Sequence, residues 1–251
     1  MIDAIERYWN ARIHDLEMTR HPVGSREFFE ELDEYRFEKL AYLPRVIDFA
    51  GYRGLRLLEI GCGIGTDLVR FARGGASVIG LDLSETAVML AKKNFAAHGY
   101  ASARLLVADG AALPFPAASF DVVYAHGMLQ YSAAPRAIVL EAQRVLKSGG
   151  RAIFMVYNRV SWLPAMSRVT GVGLEHGDAP GLKLYSIAEY RDLLRGFRST
   201  DIVPERFPVK SRLHHGWKAI LYNTLFVGLF NAIPRPLVRR FGWHLMALCE
   251  K

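Results

Sequence analysis

Cysteine is nearly absent: Cys62 and Cys249 are the only two in 251 residues, far apart and at no metal-ligand spacing. That excludes a disulfide framework and a cysteine-based metal centre, and it suits a reducing compartment. The first residues, MIDAIERYWN, carry acids and lack the basic segment followed by an apolar run that marks a signal peptide. No signal peptide is expected, and the expected location is cytoplasmic. Long apolar runs are missing too. The most apolar stretch, WKAILYNTLFVGLFNAI over 217–233, is shorter than the roughly 20 residues that cross a bilayer, and it contains Lys218. Excess charge is absent from residues 1–157, where Lys+Arg and Asp+Glu number 18 each. The net charge of +7 arises in residues 158–251, with 14 basic and 7 acidic side chains. Such an excess attracts an anionic substrate, membrane or nucleic acid, or is simply a solvated face.

What is present is an ordinary folding composition, 51% hydrophobic and 23% charged, which excludes general disorder. From Leu55 the chain alternates short β-branched or leucine-rich runs with helical stretches: LRLLEI, a helix to Arg73, SVIGLD, a helix over 84–98, ARLLVAD, FDVVYA, a helix over 135–147, and GRAIFMVY. Strands alternating with helices imply right-handed crossovers and a parallel sheet covered on both faces, a Rossmann-like α/β core. Ser84 is an N-cap candidate, and Ser148-Gly149-Gly150 is a turn leading into a strand. SREFFEELDEYRFEKLAYLPRVIDFA reads as one or two amphipathic helices, whereas residues 1–24 have weak periodicity. After Tyr157 the pattern is irregular through Leu182; a helix over 186–195 and strands RSTDIVPERF and GWHLMALCEK follow.

The most informative stretch is LLEIGCGIGTDLVRFA, a strand, a glycine turn and a helix. Glycines at 61, 63 and 65 let the backbone take dihedrals other residues avoid and let a ligand approach closely. A dinucleotide fingerprint needs glycine where this chain has Thr66 or Leu68, and a Walker loop needs Gly-Lys-Ser/Thr, which is missing. What fits is E-x-G-x-G-x-G, and with it the sequence resembles the class I S-adenosylmethionine-dependent methyltransferases, through Glu59-Ile-Gly-Cys-Gly-Ile-Gly65. The resemblance extends to Asp82 in GLDLS, about 20 residues after the first glycine, to Asp109-Gly110-Ala111, to HGMLQY and to RVLKSGGRAIF. It covers about 55–157.

The resemblance implies S-adenosylmethionine as cofactor and S-adenosylhomocysteine as product. It implies a seven-stranded sheet, mostly parallel with an antiparallel last strand and helices on both faces. Asp82 would be the ribose ligand, with Leu83 beside it. Asp109 would meet the adenine amino group, with backbone contacts from Gly110 and Ala111. Glu59, Gly61, Cys62, Gly63, Gly65 and His126 would complete the cofactor contacts. The expected organisation is a single domain over 1–251. It comprises a helical cap (1–50), a cofactor core (51–157) and a C-terminal half (158–251), whose helical insertion at about 208–240 lies over the active-site edge.

Methyl transfer from a sulfonium needs alignment more than acid or metal, so no metal is expected. His126, at the carboxyl edge of the fourth strand, and Tyr131 are the candidate bases. Tyr8, Trp9, Arg12 and Arg26 are candidates for the substrate lid, with the loop from Asn158 and the insertion. Basic residues Arg212, Lys218, Arg235, Arg239 and Arg240 flank the apolar segment, which reads as lid, peripheral membrane contact over 212–240, or dimer interface. The expected partner is a small-molecule acceptor. No nucleic acid is expected, since neither an Asn/Asp-Pro-Pro-Tyr/Phe/Trp motif nor an appended binding module is visible. Two alternatives stay open: a lipid or quinone-like acceptor at a membrane surface, and a non-methylating protein that binds S-adenosylmethionine.

Overall fold

In the computed structural model, residues 1–12, 15–170, 174, 176–209 and 221–251 are described. The N-terminal part forms helices α1 (Ile2–Asn10), α2 (Arg26–Lys39) and α3 (Leu43–Val46). The core follows as β1 (Arg56–Ile60), α4 (Thr66–Arg73), β2 (Ser77–Asp82), α5 (Glu85–Ala97), β3 (Arg104–Val107), β4 (Phe120–His126), α6 (Pro135–Val145) and β5 (Leu146–Tyr157). Then come α7 (Trp162–Thr170), α8 (Ile187–Leu193), β6 (Ser199–Glu205), a π-helical turn (Leu221–Phe226), α9 (Val227–Ala232), α10 (Arg235–Val238) and β7 (His244–Glu250).

The seven strands make one sheet in the order β3-β2-β1-β4-β5-β7-β6. Pairing is parallel from β3 to β5, and β7 runs antiparallel to both β5 and β6. The expected Rossmann-like sheet with an antiparallel last strand is therefore the observed one. Two apolar layers sandwich it, one including Leu58, Ile60, Val123 and Phe154, the other Leu57, Tyr124, Ile153 and Met155. Alternate residues of each strand thus face opposite layers, as the period-2 geometry of a strand requires.

Strand order reverses between β1 and β4, and ligands of open α/β sheets bind in the crevice at such a switch point. Local signals place the flanking helices. Ser84 Oγ accepts from Ala87 N–H at the start of α5, and Ser186 with Glu189 forms a full capping box on α8. The Lys147–Gly150 stretch departs from its expected form. Helix α6 already ends at Val145, Leu146 pairs with Phe120, and the strand resumes its pairing at Arg151 opposite Val122. The turn residues thus form a bulge inside β5, with Gly149 at φ 71°.

Candidate active site

At the switch point the glycine turn is held by Gly61 and Cys62, whose N–H groups both donate to Leu81 O. Gly61 has φ 74° and lies so near Met128 that a Cβ would come within 2.7 Å of that side chain. Gly63, at φ 53°, has nothing within 4 Å of the same position, leaving its backbone open to a ligand. Its N–H donates to Asp82 Oδ2 (2.8 Å), and Ser84 N–H donates to Asp82 Oδ1 (2.9 Å). Each Asp82 oxygen keeps acceptor capacity beyond these bonds. Burial pushes the Asp82 carboxyl up despite these donors.

A cavity of about 250 Å³ opens here, lined by the glycine turn, Asp82, Leu83, Asp109 and Gly110. Glu59, 4% exposed, lines it with Oε2 unpartnered among the described residues. Burial, with Asp67 beside it, raises its pKa well above the carboxylate range, so a cation in the cavity would hold it ionised. Cys62 also lines the cavity, and burial holds its thiol neutral.

A buried polar chain forms the inner wall. Arg36 Nε and Nη2 donate to the two oxygens of Asp67 (2.7 and 2.6 Å), and Tyr124 donates to Asp67 Oδ2 (2.8 Å). Burial opposes both charges, but the pairing wins: Asp67 is shifted down and Arg36 up. Arg36 Nη2 also reaches His126 Nδ1 (3.2 Å), and Arg206 Nη1 reaches His244 Nε2 (3.0 Å). Guanidinium nitrogens only donate, so each histidine accepts there and carries its proton on the other nitrogen. Those protons, on His126 Nε2 and His244 Nδ1, both point to the Tyr42 oxygen (3.0 and 2.6 Å). Tyr42 then spends its own proton on Met246 Sδ (3.7 Å). One arrangement satisfies the chain.

That arrangement bears on His126, one of the two candidate bases. Both ring nitrogens are engaged, and burial with Arg36 pushes its pKa down to about 3. His126 is the last residue of β4 and lines the cavity as a neutral imidazole. Tyr131 also lines it, its ring edge-on to Trp9 and its hydroxyl donating to Tyr157 Oη (3.4 Å). Gly65, at φ 80°, starts α4 against Phe95 and is not in the lining; neither is Ala111, whose N–H caps Asp109 Oδ1.

Of the lid candidates, Trp9 and Arg12 reach the cavity with Ile2 and Ile5 of α1. Tyr8 does not: its hydroxyl bonds Asp178 Oδ1 (2.9 Å) and His176 Nδ1 (3.2 Å) in the loop after Asn158, where Arg12 also pairs with Asp178 Oδ2 (2.6 Å). Arg26 does not line the cavity either, and its exposed guanidinium pairs with Glu30 one helical turn ahead. Among the described residues of 208–240 none lines the cavity; Arg212 and Lys218 lie outside the described residues. The sequence reading missed Arg36 and Asp67. Arg36 sat among the charges of an amphipathic helix, and Asp67 reads as a first-turn acid favouring the helix dipole.

The sheet order and the glycine turn with Asp82 define a class I methyltransferase fold. Residues 58–154, about two fifths of the chain, match the family described as a methyltransferase domain. It is 32% identical over 137 residues to a ubiquinone biosynthesis O-methyltransferase of Idiomarina loihiensis, covering 54% of this chain and 56% of that protein. It is 35% identical over 161 residues to a sterol 4-C-methyltransferase of Caenorhabditis elegans, covering 64% and 45%. The matched regions thus span about half the length of these relatives. Among solved structures, magnesium protoporphyrin IX methyltransferase from Synechocystis PCC 6803 with bound S-adenosylhomocysteine has the same fold, with a TM-score of 0.64, 16% identity, and 99% of each chain covered. The family's cofactor suits the donor set: an unpartnered buried carboxyl awaits a cation, and Gly63 leaves room beside Asp82.

Proposed function

We propose that this protein transfers the methyl group of S-adenosylmethionine to a small-molecule acceptor, and that positioning lowers most of the barrier. The observation that carries the proposal is Asp82, fixed by Gly63 and Ser84 N–H at the mouth of the glycine turn with acceptor capacity left over. Asp82 would hold the ribose hydroxyls, and Asp109 with the Gly110 backbone the adenine. Glu59 would hold the ammonium of the amino-acid end. Arg36 Nη1, the guanidinium nitrogen without a bond among the described residues, would hold its carboxylate.

The bound cofactor supplies a methyl group on a sulfonium, whose thioether leaves without acid or metal. The protein's part is to align the acceptor behind that methyl, an effect worth roughly 7–11 kcal/mol. Trp9, Tyr131 and Ile5 wall the cavity with apolar surface that excludes water. The engaged nitrogens of His126 favour an acceptor that is a nucleophile at neutral pH or gives its proton to solvent. The relatives named for ubiquinone biosynthesis and for a sterol make apolar acceptors the first to assay.

Asp82→Ala is expected to weaken S-adenosylmethionine binding by about 2 kcal/mol, roughly 30-fold, through loss of charge-assisted hydrogen bonds. Calorimetry checks it. Unchanged affinity overturns the ribose assignment, and the absence of S-adenosylhomocysteine with every acceptor tried favours a protein that binds the cofactor without methylating.

A further inference from the structure

The chain leaves β6 at Glu205 and returns into β7 at His244, two residues paired with each other at the carboxyl edge of the sheet. Tyr157, at the end of β5, pairs with the same His244. The described residues between Arg206 and Trp243, 207–209 and 221–242, therefore emerge on the edge where the cavity lies, on the β5-β7-β6 side of it. On this edge α9 and α10 leave large apolar side chains in solvent: Leu229 is 63% exposed and Leu237 68%, with Ile233 between them. Val160, after β5, and Val209, after β6, are exposed as well.

The charge around these side chains has one sign. Arg235, Arg239 and Arg240 are exposed, and from Arg206 to Cys249 the sequence contains no Asp or Glu. Two of the three arginines lie over aromatic rings, Arg235 over Phe207 (4.3 Å) and Arg240 over Phe241 (4.7 Å), contacts that keep the positive charge in place without adding a negative one. Glu205, at the strand end just before this stretch, is half-buried; burial raises its pKa, and Arg45, Arg235 and Arg239 act on it in the opposite direction. Exposed leucines a few residues from exposed arginines, in a stretch of sequence that holds no acid of its own, suit a surface that is both apolar and anionic.

No described helix is long and apolar enough to cross a membrane, so contact of this kind is peripheral. We propose that the α9-α10 face docks on an anionic lipid bilayer, with Leu229, Ile233 and Leu237 in the interface and Arg235, Arg239 and Arg240 at the headgroups. The same docking turns the carboxyl edge, and with it the mouth of the cavity, toward the bilayer. An acceptor dissolved in lipid would then reach the cavity along that edge.

The full chain tests this by co-sedimentation with phosphatidylcholine vesicles, with and without phosphatidylglycerol. It is expected to pellet with the anionic vesicles, less so as salt rises. Arg239→Glu/Arg240→Glu is expected to lower partitioning roughly tenfold or more, since each basic residue near the surface contributes about one factor of five. Leu229→Glu/Leu237→Glu is expected to lose binding at low salt too. Both variants should bind S-adenosylmethionine like the parent, which separates loss of docking from loss of fold. Failure of the parent to pellet with anionic vesicles overturns the proposal, as does parent-like pelleting of both variants. A parent dimer that the leucine substitutions dissociate also overturns it, by assigning the face to a second copy. If the cofactor fails to bind the parent, the proposed activity falls while the vesicle result stands alone.

Discussion

A carboxylate that is 2% exposed stays ionised only if its surroundings replace the water it has lost. Asp67 meets that condition through two bonds from Arg36 and one from Tyr124. Such a pair adds little net stability, because desolvating both partners offsets most of their attraction, but removing one partner strands a charge. Arg36→Met is therefore expected to cost about 3–5 kcal/mol of unfolding free energy by urea titration. Adding Asp67→Leu should recover a large part of it, with a residue left over because Tyr124 then lacks its acceptor. Equal losses in the single and double variants would mean that the pair is not coupled. Neither side chain declares this role in the sequence: Arg36 and Asp67 are 31 residues apart on two helices whose patterns show only that charges alternate with apolar positions. Asp82 and Asp109 were legible as acids at the cavity because one ends a strand and the other follows the next strand, beside a glycine turn where backbone geometry restricts what an acid can do.

Helix α1 shows why some elements were legible and others were not. The strands and α4 to α6 alternate over about a hundred residues, so each signal supports the next. α1 is nine residues, shorter than the window in which a helical period can be recognised, although Ile2, Ile5 and Trp9 all fall on its cavity side. Long-range contacts place it. Ser84 Oγ donates to Asn10 Oδ1 (2.9 Å), and Thr86 N–H reaches the same oxygen (3.2 Å), tying its end to the start of α5. On the other side Tyr8 and Arg12 meet Asp178. Because the Arg12–Asp178 pair is exposed, Asp178→Ala is expected to change global stability by less than about 1 kcal/mol. Its effect should be local: faster hydrogen exchange in α1 and quicker release of bound S-adenosylhomocysteine, since α1 supplies one wall of the cavity. Unaltered exchange in α1 would show that the ties to α5 alone hold the helix.

Across the whole molecule, the sheet order was legible because right-handed crossovers leave few ways to arrange alternating strands and helices. What joins the two halves of the sheet at the cavity wall was not, since the chain from Arg36 through His126 and Tyr42 to His244 bonds residues up to 202 apart in sequence. That chain makes stability depend on pH in a definite direction. His126 titrates near pH 3 when folded, against about 6.5 when unfolded. Between those values the unfolded chain holds a proton that the folded chain refuses, so stability is fully present above about pH 6.5 and is lost as pH falls. For one group the loss is about 1.4 kcal/mol per pH unit. His244, pushed down by burial and by Arg206, acts in the same direction. His126→Gln keeps an acceptor for Arg36 and a donor for Tyr42 but does not titrate. Urea midpoints taken from about pH 7 down to about pH 5 should fall steeply for the parent and less so for this variant, the slopes differing by about one proton. Identical slopes would mean that His126 is protonated in the folded protein at these pH values. The tautomer assignment would then fail, because an imidazolium has no lone pair to accept from Arg36.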